Sequence, residues 1–401
     1  MPGVIKPGYH QLSRRCFCAR VVAGSVTGVA ALKLKGLTAA GDARTQAQDF
    51  KPEELHEMQA AASRFMQKHR VPGLSVAIAS KGRLVYARGF GLADKENNEK
   101  VTPKHLFRIA SVSKPITATT IFRLIESGKL RLSDRVFGSS GILRTLYGKP
   151  PYKQYIEEIT VEHLLTHTAG GWPNDATDPM FQHTEMDHQQ LITWTLANLP
   201  LAHQPGTYFA YSNFGFCILG RIIEKVSGEN YADAVRAEVL DPCGISRMRI
   251  GGNTQADRAP LEALYYNQDE DGSSPYGMNV RRMDSHGGWL ATPTDLVRFL
   301  VRVDRFPTRP DILRSHTIET MTTASRVSPG YAKGWNVNKH NNWWHAGSLP
   351  GTTSIMVRTS QQFCWAALTN TRGPGDLVGD LDRLIWDMVG SITIWPDVDL
   401  F

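Results

Sequence analysis

Two kinds of apolar spacing alternate along this 401-residue chain. Residues 52–69 place Leu55, Met58, Ala62 and Phe65 three or four apart, which predicts a helix with one buried face. The short runs LSVAIAS and RLVYARGFG follow, separated by Lys81-Gly82, and read as two strands joined by a tight turn. Residues 111–127 predict a helix stopped by Gly128. From about 130 to 280, helical and loop patterns dominate, as in TVEHLLTHT and GFCILGRIIEKVSG. A further helix is expected at 292–303, opened by Thr-Pro-Thr-Asp. Strand-like runs return at 334–338, 353–358 and 363–370, and a terminal helix is expected at 376–389. Strands at both ends around a helical middle imply one sheet completed by distant segments, with a helical lobe inserted between them. The working cleft is then expected between the two lobes, where ligand sites tend to form.

Composition changes this picture little, since 41% hydrophobic and 21% charged residues are ordinary for a globular protein. A largely disordered or collagen-like chain is excluded, and no run of 18 apolar residues suggests a stable membrane span. The formal charge of +7 points at first toward an anionic partner such as nucleic acid. Its location removes that reading. Residues 1–40 hold Lys6, Arg14, Arg15, Arg20, Lys33 and Lys35 and no acidic residue. Ser13-Arg14-Arg15-Cys16-Phe17 precedes a weakly apolar stretch and then Thr38-Ala39-Ala40, a pattern similar to a twin-arginine export signal. Export to a periplasm is the expectation, with a mitochondrial transit peptide as the alternative for a eukaryotic source. Residues 41–54 then read as a linker and 55–395 as a single two-lobed domain. Without the leader the chain has 39 Lys+Arg against 38 Asp+Glu, which gives no support for a nucleic-acid partner. Cys217 and Cys364 lie in apolar runs and are expected to be buried free thiols; no disulfide framework or paired metal-ligand spacing is present.

Ser111-Val112-Ser113-Lys114 is the first candidate for chemistry. Positions i and i+3 share a helix face, so the Ser111 hydroxyl and the Lys114 amine can meet. Pro115 fits only if the helix begins close to Ser111, because proline is tolerated in the first turn alone. That places Ser111 at a helix N-terminus, and a buried Lys114 would shed its proton and activate the serine. The tetrapeptide alone is weak, since a chain of this composition yields about one by chance. Downstream, Tyr211-Ser212-Asn213 puts a phenol and an amide on one side of an extended turn, directly before an apolar helix. Tyr-x-Asn recurs at Tyr265-Tyr266-Asn267, in a polar stretch read as surface. His345-Ala346-Gly347-Ser348 precedes a strand-like run; its glycine would let substrate approach the backbone, and the next amide could face an oxyanion.

With these pieces the sequence resembles the serine β-lactamase/penicillin-binding-protein superfamily, in its class C-like esterase and D-aminopeptidase branch. The resemblance covers roughly residues 55–390 and rests on FRIASVSKPITA, TVEHLLTHTAGG, PGTYFAYSNFGFCILGRIIEKVSG, SHGGWLATPTDLVRF and WWHAGSLPGT, in that order. It implies an α/β (α+β) fold of the β-lactamase/DD-peptidase type: an antiparallel sheet flanked by helices, an inserted helical lobe, and the active site between them. It further implies that Ser111 is the acylated nucleophile, Lys114 its proton partner, and Tyr211 a general base and leaving-group acid. Asn213 would orient Lys114 and the substrate carbonyl, and the amides of Ser111 and Ser348 would form the oxyanion hole. His345 departs from the pattern, because penicillin-recognising members carry Lys there. A neutral imidazole supplies no permanent cation for a substrate carboxylate. Hydrolysis of small esters or amides through an acyl-enzyme is therefore expected over strong β-lactamase activity, with no cofactor and no metal. The alternatives are a D-aminopeptidase or penicillin-binding-type peptidase, and a catalytically silent binding protein.

A zinc hydrolase is the rival of a different class. His163 and His167 are spaced i,i+4, with His183, Asp187 and His188 following, although the His-Glu-x-x-His order is absent. No GxSxG elbow occurs, which removes the α/β-hydrolase reading. The aromatics Trp172, Phe181, Tyr208, Tyr211, Trp343 and Trp344 suggest either an apolar cleft or core packing. Oligomeric state and substrate identity are not encoded in any of these patterns.

Overall fold

The helix expected near residue 52 forms as α1 (Pro52–Lys68), with Met58, Ala62 and Phe65 buried. The computed structural model describes residues 50–270 and 272–401; the leader, and with it the export reading, lies outside the described residues. Strand β1 (Gly73–Ser80) turns through Lys81 and Gly82 into β2 (Arg83–Asp94). Both turn residues have positive φ, 49° and 74°, the left-handed pair that matches the twist of a two-residue hairpin.

The distant segments do complete the sheet. β9 (Trp343–Leu349), β10 (Thr352–Arg358) and β11 (Phe363–Thr369) form a meander, and β11 pairs antiparallel with β1 from Leu74↔Thr369 to Ser80↔Phe363. With β3 (Glu99–Lys100) at one edge and β8 (Asn336–Val337) at the other, the order is β3-β2-β1-β11-β10-β9-β8. Alternate residues serve two cores, as the strand period requires. Ala77, Ala79, Met356, Cys364, Ala366 and Leu368 face the side covered by α2 (Ser113–Glu126), α5 (Asn213–Ser227) and α7 (Pro293–Leu300). Val76, Ile78, Ile355, Val357, Trp365 and Ala367 face α1 and α9 (Leu377–Gly390). Each fully buried aliphatic or aromatic side chain contributes about 1.5–3 kcal/mol, so both faces of the sheet are held firmly.

Between β2 and β8 run α3 (Val161–Leu165), α4 (His188–Asn198), α6 (Tyr231–Val235) and α8 (Ser315–Thr322), with α2, α5 and α7. Helix starts follow local chemistry: Thr292 and Asp295 form a reciprocal capping box at α7, as do Asp187 and Gln190 at α4. Two small sheets leave no periodic signal in the sequence. β4 (Phe107–Arg108), β7 (Trp289–Ala291) and β5 (Arg249–Ile250) make one, and β12 (Thr371–Arg372) with β6 (Tyr266–Asn267) the other. Strands of two or three residues carry too few positions to show an alternation.

Of three expectations, one needs correction and two become more definite. His345-Ala346-Gly347-Ser348 lies inside β9, because WWHAGSL itself alternates between the two faces of the sheet. The second Tyr-x-Asn is not surface: Tyr265 is 4% exposed, its hydroxyl bonded to Glu262 and its ring 4.6 Å from the Arg108 guanidinium. Of the six aromatics, Trp172 packs edge-on against Phe214 and Trp343 stacks with Arg358, while Trp344 packs against the core on the α1–α9 side. Trp172 and Trp343 are core residues and Trp344 is half-buried at the core's edge; Phe181 and Tyr208 are exposed. Cys217, Cys243 and Cys364 are buried and free. Among the described residues no helix is long and apolar enough to cross a membrane.

Candidate active site

Ser111 sits in a single 3-10 turn (Ala110–Val112) that leads straight into α2, so Pro115 falls in the first turn, where its missing N–H costs nothing. The turn is held from several sides. Ile109 N–H donates to Trp289 O at 3.0 Å, and Ile109 O accepts from Val112 N–H at 3.1 Å and from Ser354 Oγ–H at 2.7 Å. Ala110, immediately before the serine, has φ of +48°, a left-handed conformation that costs about 1 kcal/mol or more for a non-glycine residue. Gly347 of β9 permits the closeness, since a Cβ there would lie 2.3 Å from Ile109 O and 3.0 Å from Ala110 Cβ. The strand that carries His345 and exposed Ser348 is thereby laid against the turn that carries Ser111.

Lys114 is wholly buried, and its Nζ lies 3.1 Å from Ser111 Oγ, 2.7 Å from Asn213 Oδ1 and 3.0 Å from the carbonyl of His286. Burial drives its pKa well below the usual 10.5, against the opposing pull of the Asp178 carboxylate. A neutral amine has two hydrogens and one lone pair. The hydrogens are taken by Asn213 Oδ1 and His286 O, so the lone pair faces the serine hydroxyl. This is the arrangement a general base requires.

The same burial makes a stability prediction. The unfolded chain binds the proton that native Lys114 refuses, so stability rises with pH between the depressed native value and 10.5. The slope from this one group is up to about 1.4 kcal/mol per pH unit. Urea unfolding at pH 7.5 and 8.5 is expected to show that rise, and Lys114→Met to remove its share; equal slopes in the two proteins would contradict it.

Tyr211 is half-buried, with its ring 4.8 Å from Lys114 Nζ and 4.2 Å from the His167 ring. His167 brackets it: Ala210 N–H donates to His167 O at 2.9 Å and Ser212 N–H to His167 Nδ1 at 3.1 Å. Asn213 opens α5 behind the cap Ser212. Its amide donates to Asn174 Oδ1 at 2.9 Å and Asp178 Oδ2 at 2.8 Å, which leaves Oδ1 for Lys114.

His345 is buried and neutral, its pKa pushed down to about 3 by desolvation and then by the neighbouring Lys114. The hydrogen bonds assign its tautomer. His167 Nδ1 accepts from Ser212, so His167 Nε2–H donates to Tyr331 Oη at 3.1 Å; Tyr331 O–H donates to His345 Nε2 at 3.2 Å; His345 Nδ1–H donates to Ala346 O at 2.7 Å. Both ring nitrogens are engaged within the protein.

The metal reading does not form. α3 ends at Leu165 and His167 takes φ of +58°, so His163 and His167 do not share a helix face. His163 Nδ1 completes the capping box of α3, and His188 bonds Arg221 and the Arg282 carbonyl. Sequence patterns had also missed the His286 carbonyl, Asp178 and Tyr331. The SHGGW run marks the first, since a Cβ on Gly288 would lie 2.7 Å from Val280 O, so glycine is needed for the close turn that follows the His286 carbonyl; the other two carry no local signal.

The comparisons bear on this geometry. Protein flp from Staphylococcus aureus (strain MRSA252) is 26% identical over 314 residues, 76% of this chain and 60% of that protein. The chain thus spans about 60% of the length of the curated relatives it matches first. The octameric penicillin-binding protein homologue from Pyrococcus abyssi superposes with a TM-score of 0.68 at 26% identity, covering 84% of this chain and 77% of the other. D-amino acid amidase from Ochrobactrum anthropi SV3 shares the fold with a TM-score of 0.69 at 22% identity, covering 84% and 98%. The family model described as Beta-lactamase matches residues 58–389, and the chain, with its antiparallel sheet and its Ser111–Lys114 pair, belongs to the Beta-lactamase family.

Proposed function

We propose that the protein is a serine hydrolase that cleaves small neutral esters or amides through an acyl-enzyme, with carboxylesterase-like preference. The observation that carries this reading is the buried Lys114, whose only free valence as a neutral amine points at Ser111 Oγ. Ser111 Oγ attacks the substrate carbonyl while its proton passes to Lys114 Nζ. The oxyanion is received by the Ser111 and Ser348 amides, on the turn and strand that Gly347 brings together. Tyr211 gives a proton to the departing alkoxide or amine and is left as a phenolate; that phenolate takes a proton from the water that attacks the acyl-serine, and the Lys114 ammonium returns its proton to Ser111 Oγ as the acid product leaves.

His345 bears on the substrate class. It contributes no positive charge at neutral pH and has no ring nitrogen to spare, so a substrate carboxylate finds no cationic anchor at this position. Esters and amides without that carboxylate fit the site better than penicillins. The D-amino acid amidase among the structural neighbours keeps amide cleavage as the second reading. Residues 1–40 are proposed to direct export.

A fluorophosphonate probe is expected to label the protein once, on the peptide that contains Ser111, and a panel of p-nitrophenyl acetate and butyrate, a D-amino acid amide and nitrocefin is expected to rank the esters first. No labelling at Ser111 would overturn the acyl-enzyme reading; nitrocefin ranking first would overturn the substrate preference.

A further inference from the structure

We propose that Asp178 is a positioning residue for the acylation step: it fixes the Asn213 amide and supplies the negative charge against which Lys114 becomes an ammonium. The inference rests on the acyl-enzyme reading and adds to it a carboxylate that no sequence pattern singled out. Asp178 is 0% exposed, deep beneath a loop that otherwise faces solvent at Asn174–Thr177. A buried carboxylate is costly unless it has partners, and this one has two: Met180 N–H at 2.9 Å and Asn213 Nδ2–H at 2.8 Å.

The second partner matters for chemistry. An amide has one acceptor end and one donor end, and nothing in its shape decides which end faces Lys114. Asp178 and Asn174 both accept, so together they demand the two amide hydrogens and turn the Asn213 oxygen toward Nζ. With the amide reversed, Lys114 would meet a donor, and an ammonium there would lose its shortest contact. An asparagine at 178 would recreate this ambiguity, because its own amide cannot accept from both Met180 N–H and Asn213 Nδ2–H through the same two atoms.

Charge adds a second effect. When Ser111 gives up its proton, Lys114 becomes cationic inside the protein, and a nearby carboxylate offsets part of that cost. The charged groups facing Asp178 are Lys114 from α2, Asp175 from its own loop, and Arg282, whose guanidinium donates to the Met180 carbonyl at 2.9 Å. Burial raises the Asp178 pKa to about 6, the Met180 and Asn213 hydrogen bonds and Lys114 pulling the other way, so it is ionised above that pH and neutral below.

The experiment is a pH profile of kcat/KM on p-nitrophenyl butyrate for wild type, Asp178→Asn, Asp178→Glu and Ser111→Ala, each checked by urea unfolding. Asp178→Asn is expected to lower kcat about 10- to 100-fold, the worth of a charge-assisted hydrogen bond, with KM within about threefold. Its acid limb is expected to move to lower pH, because the carboxylate that titrates near 6 is gone and Lys114 loses the charge that raises its pKa. Asp178→Glu retains the carboxylate and is expected to keep the wild-type limb even where its rate is reduced, which tests the role should the asparagine variant not fold. An acid limb unmoved in Asp178→Asn, or moved equally in Asp178→Glu, would overturn the inference and leave a structural role. Full activity in Ser111→Ala would instead overturn the acyl-enzyme reading.

Discussion

Replacing Lys114 with Met is expected to lower kcat/KM on a p-nitrophenyl ester about a thousandfold, nearly as far as Ser111→Ala, and the double variant is expected to fall no further. Methionine has the length and apolar stem of lysine, so it fills the same buried space between Ser111 and Asn213. What it removes is the nitrogen that lies 3.1 Å from Ser111 Oγ. General bases are worth about 10² to 10⁴ in rate, and a serine without one is a weak nucleophile at neutral pH. In the proposed mechanism the two residues act as one unit, since Lys114 would do nothing for the reaction without the Ser111 proton and Ser111 would not ionise without Lys114. Such pairs are strongly non-additive. Stability should move little in comparison. Methionine leaves Asn213 Oδ1 and His286 O without a donor, a cost of about 1–3 kcal/mol each, but it relieves the burial of an amine. Single-turnover acylation by a chromogenic ester separates the effect from later steps. A Lys114→Met protein within tenfold of wild type, or a double variant well below both singles, would remove Lys114 from the role of base.

The pair at the centre of the site was readable because its geometry is local. Ser111 and Lys114 meet through the spacing of one helix turn, and Pro115 marks where that helix must start. The hairpin at Lys81-Gly82 and the capping box at Thr292 are local in the same sense. Everything that sets the state of Lys114 is not. Its third partner is a backbone carbonyl, which any residue at 286 would offer and no side-chain pattern can announce. Asp178 reaches it through Asn213, 35 residues further along the chain. His167 shows the converse failure. Its spacing from His163 suggests a metal clasp only if the helix continues, but the helix stops at Leu165 and His167, with positive φ, brackets Tyr211 instead. Tyr331 enters the site from the segment before β8 and joins two histidines that lie 178 residues apart in sequence, at 167 and 345. The strands of the main sheet were visible as alternating runs, whereas the two- and three-residue strands that carry Arg108 and Trp289 near Ser111 were too short to show a period.

Gly347→Ala is expected to lower kcat/KM about a hundredfold without unfolding the protein. The added Cβ would lie 2.3 Å from Ile109 O and 2.5 Å from Ser354 Oγ, both closer than any real contact. Ser354 Oγ is a side-chain end that could rotate, but the nearer neighbour cannot. Ile109 O is a backbone atom fixed by Val112 N–H and Ser354 Oγ–H, two residues before Ser111. β9 is no freer, because it is paired with β10 over seven positions, from Thr352↔Leu349 to Arg358↔Trp343. The clash must therefore be relieved by moving the Ile109–Ser111 turn away from the strand, by roughly the 1 Å that separates 2.3 Å from a normal contact. A misplacement of that size costs about a hundredfold when it separates reacting groups, and here it would widen the gap between the Ser111 and Ser348 amides. Ser354→Ala is the control. It removes one hydrogen bond to the same carbonyl without pushing on it, a loss of about 1 kcal/mol, so its kcat/KM is expected to stay within about tenfold of wild type. The fluorophosphonate labelling rate of Ser111 should follow the same order, with Gly347→Ala slowest. A Gly347→Ala enzyme as fast as Ser354→Ala would mean that the strand and the nucleophile turn are not held in contact during the reaction.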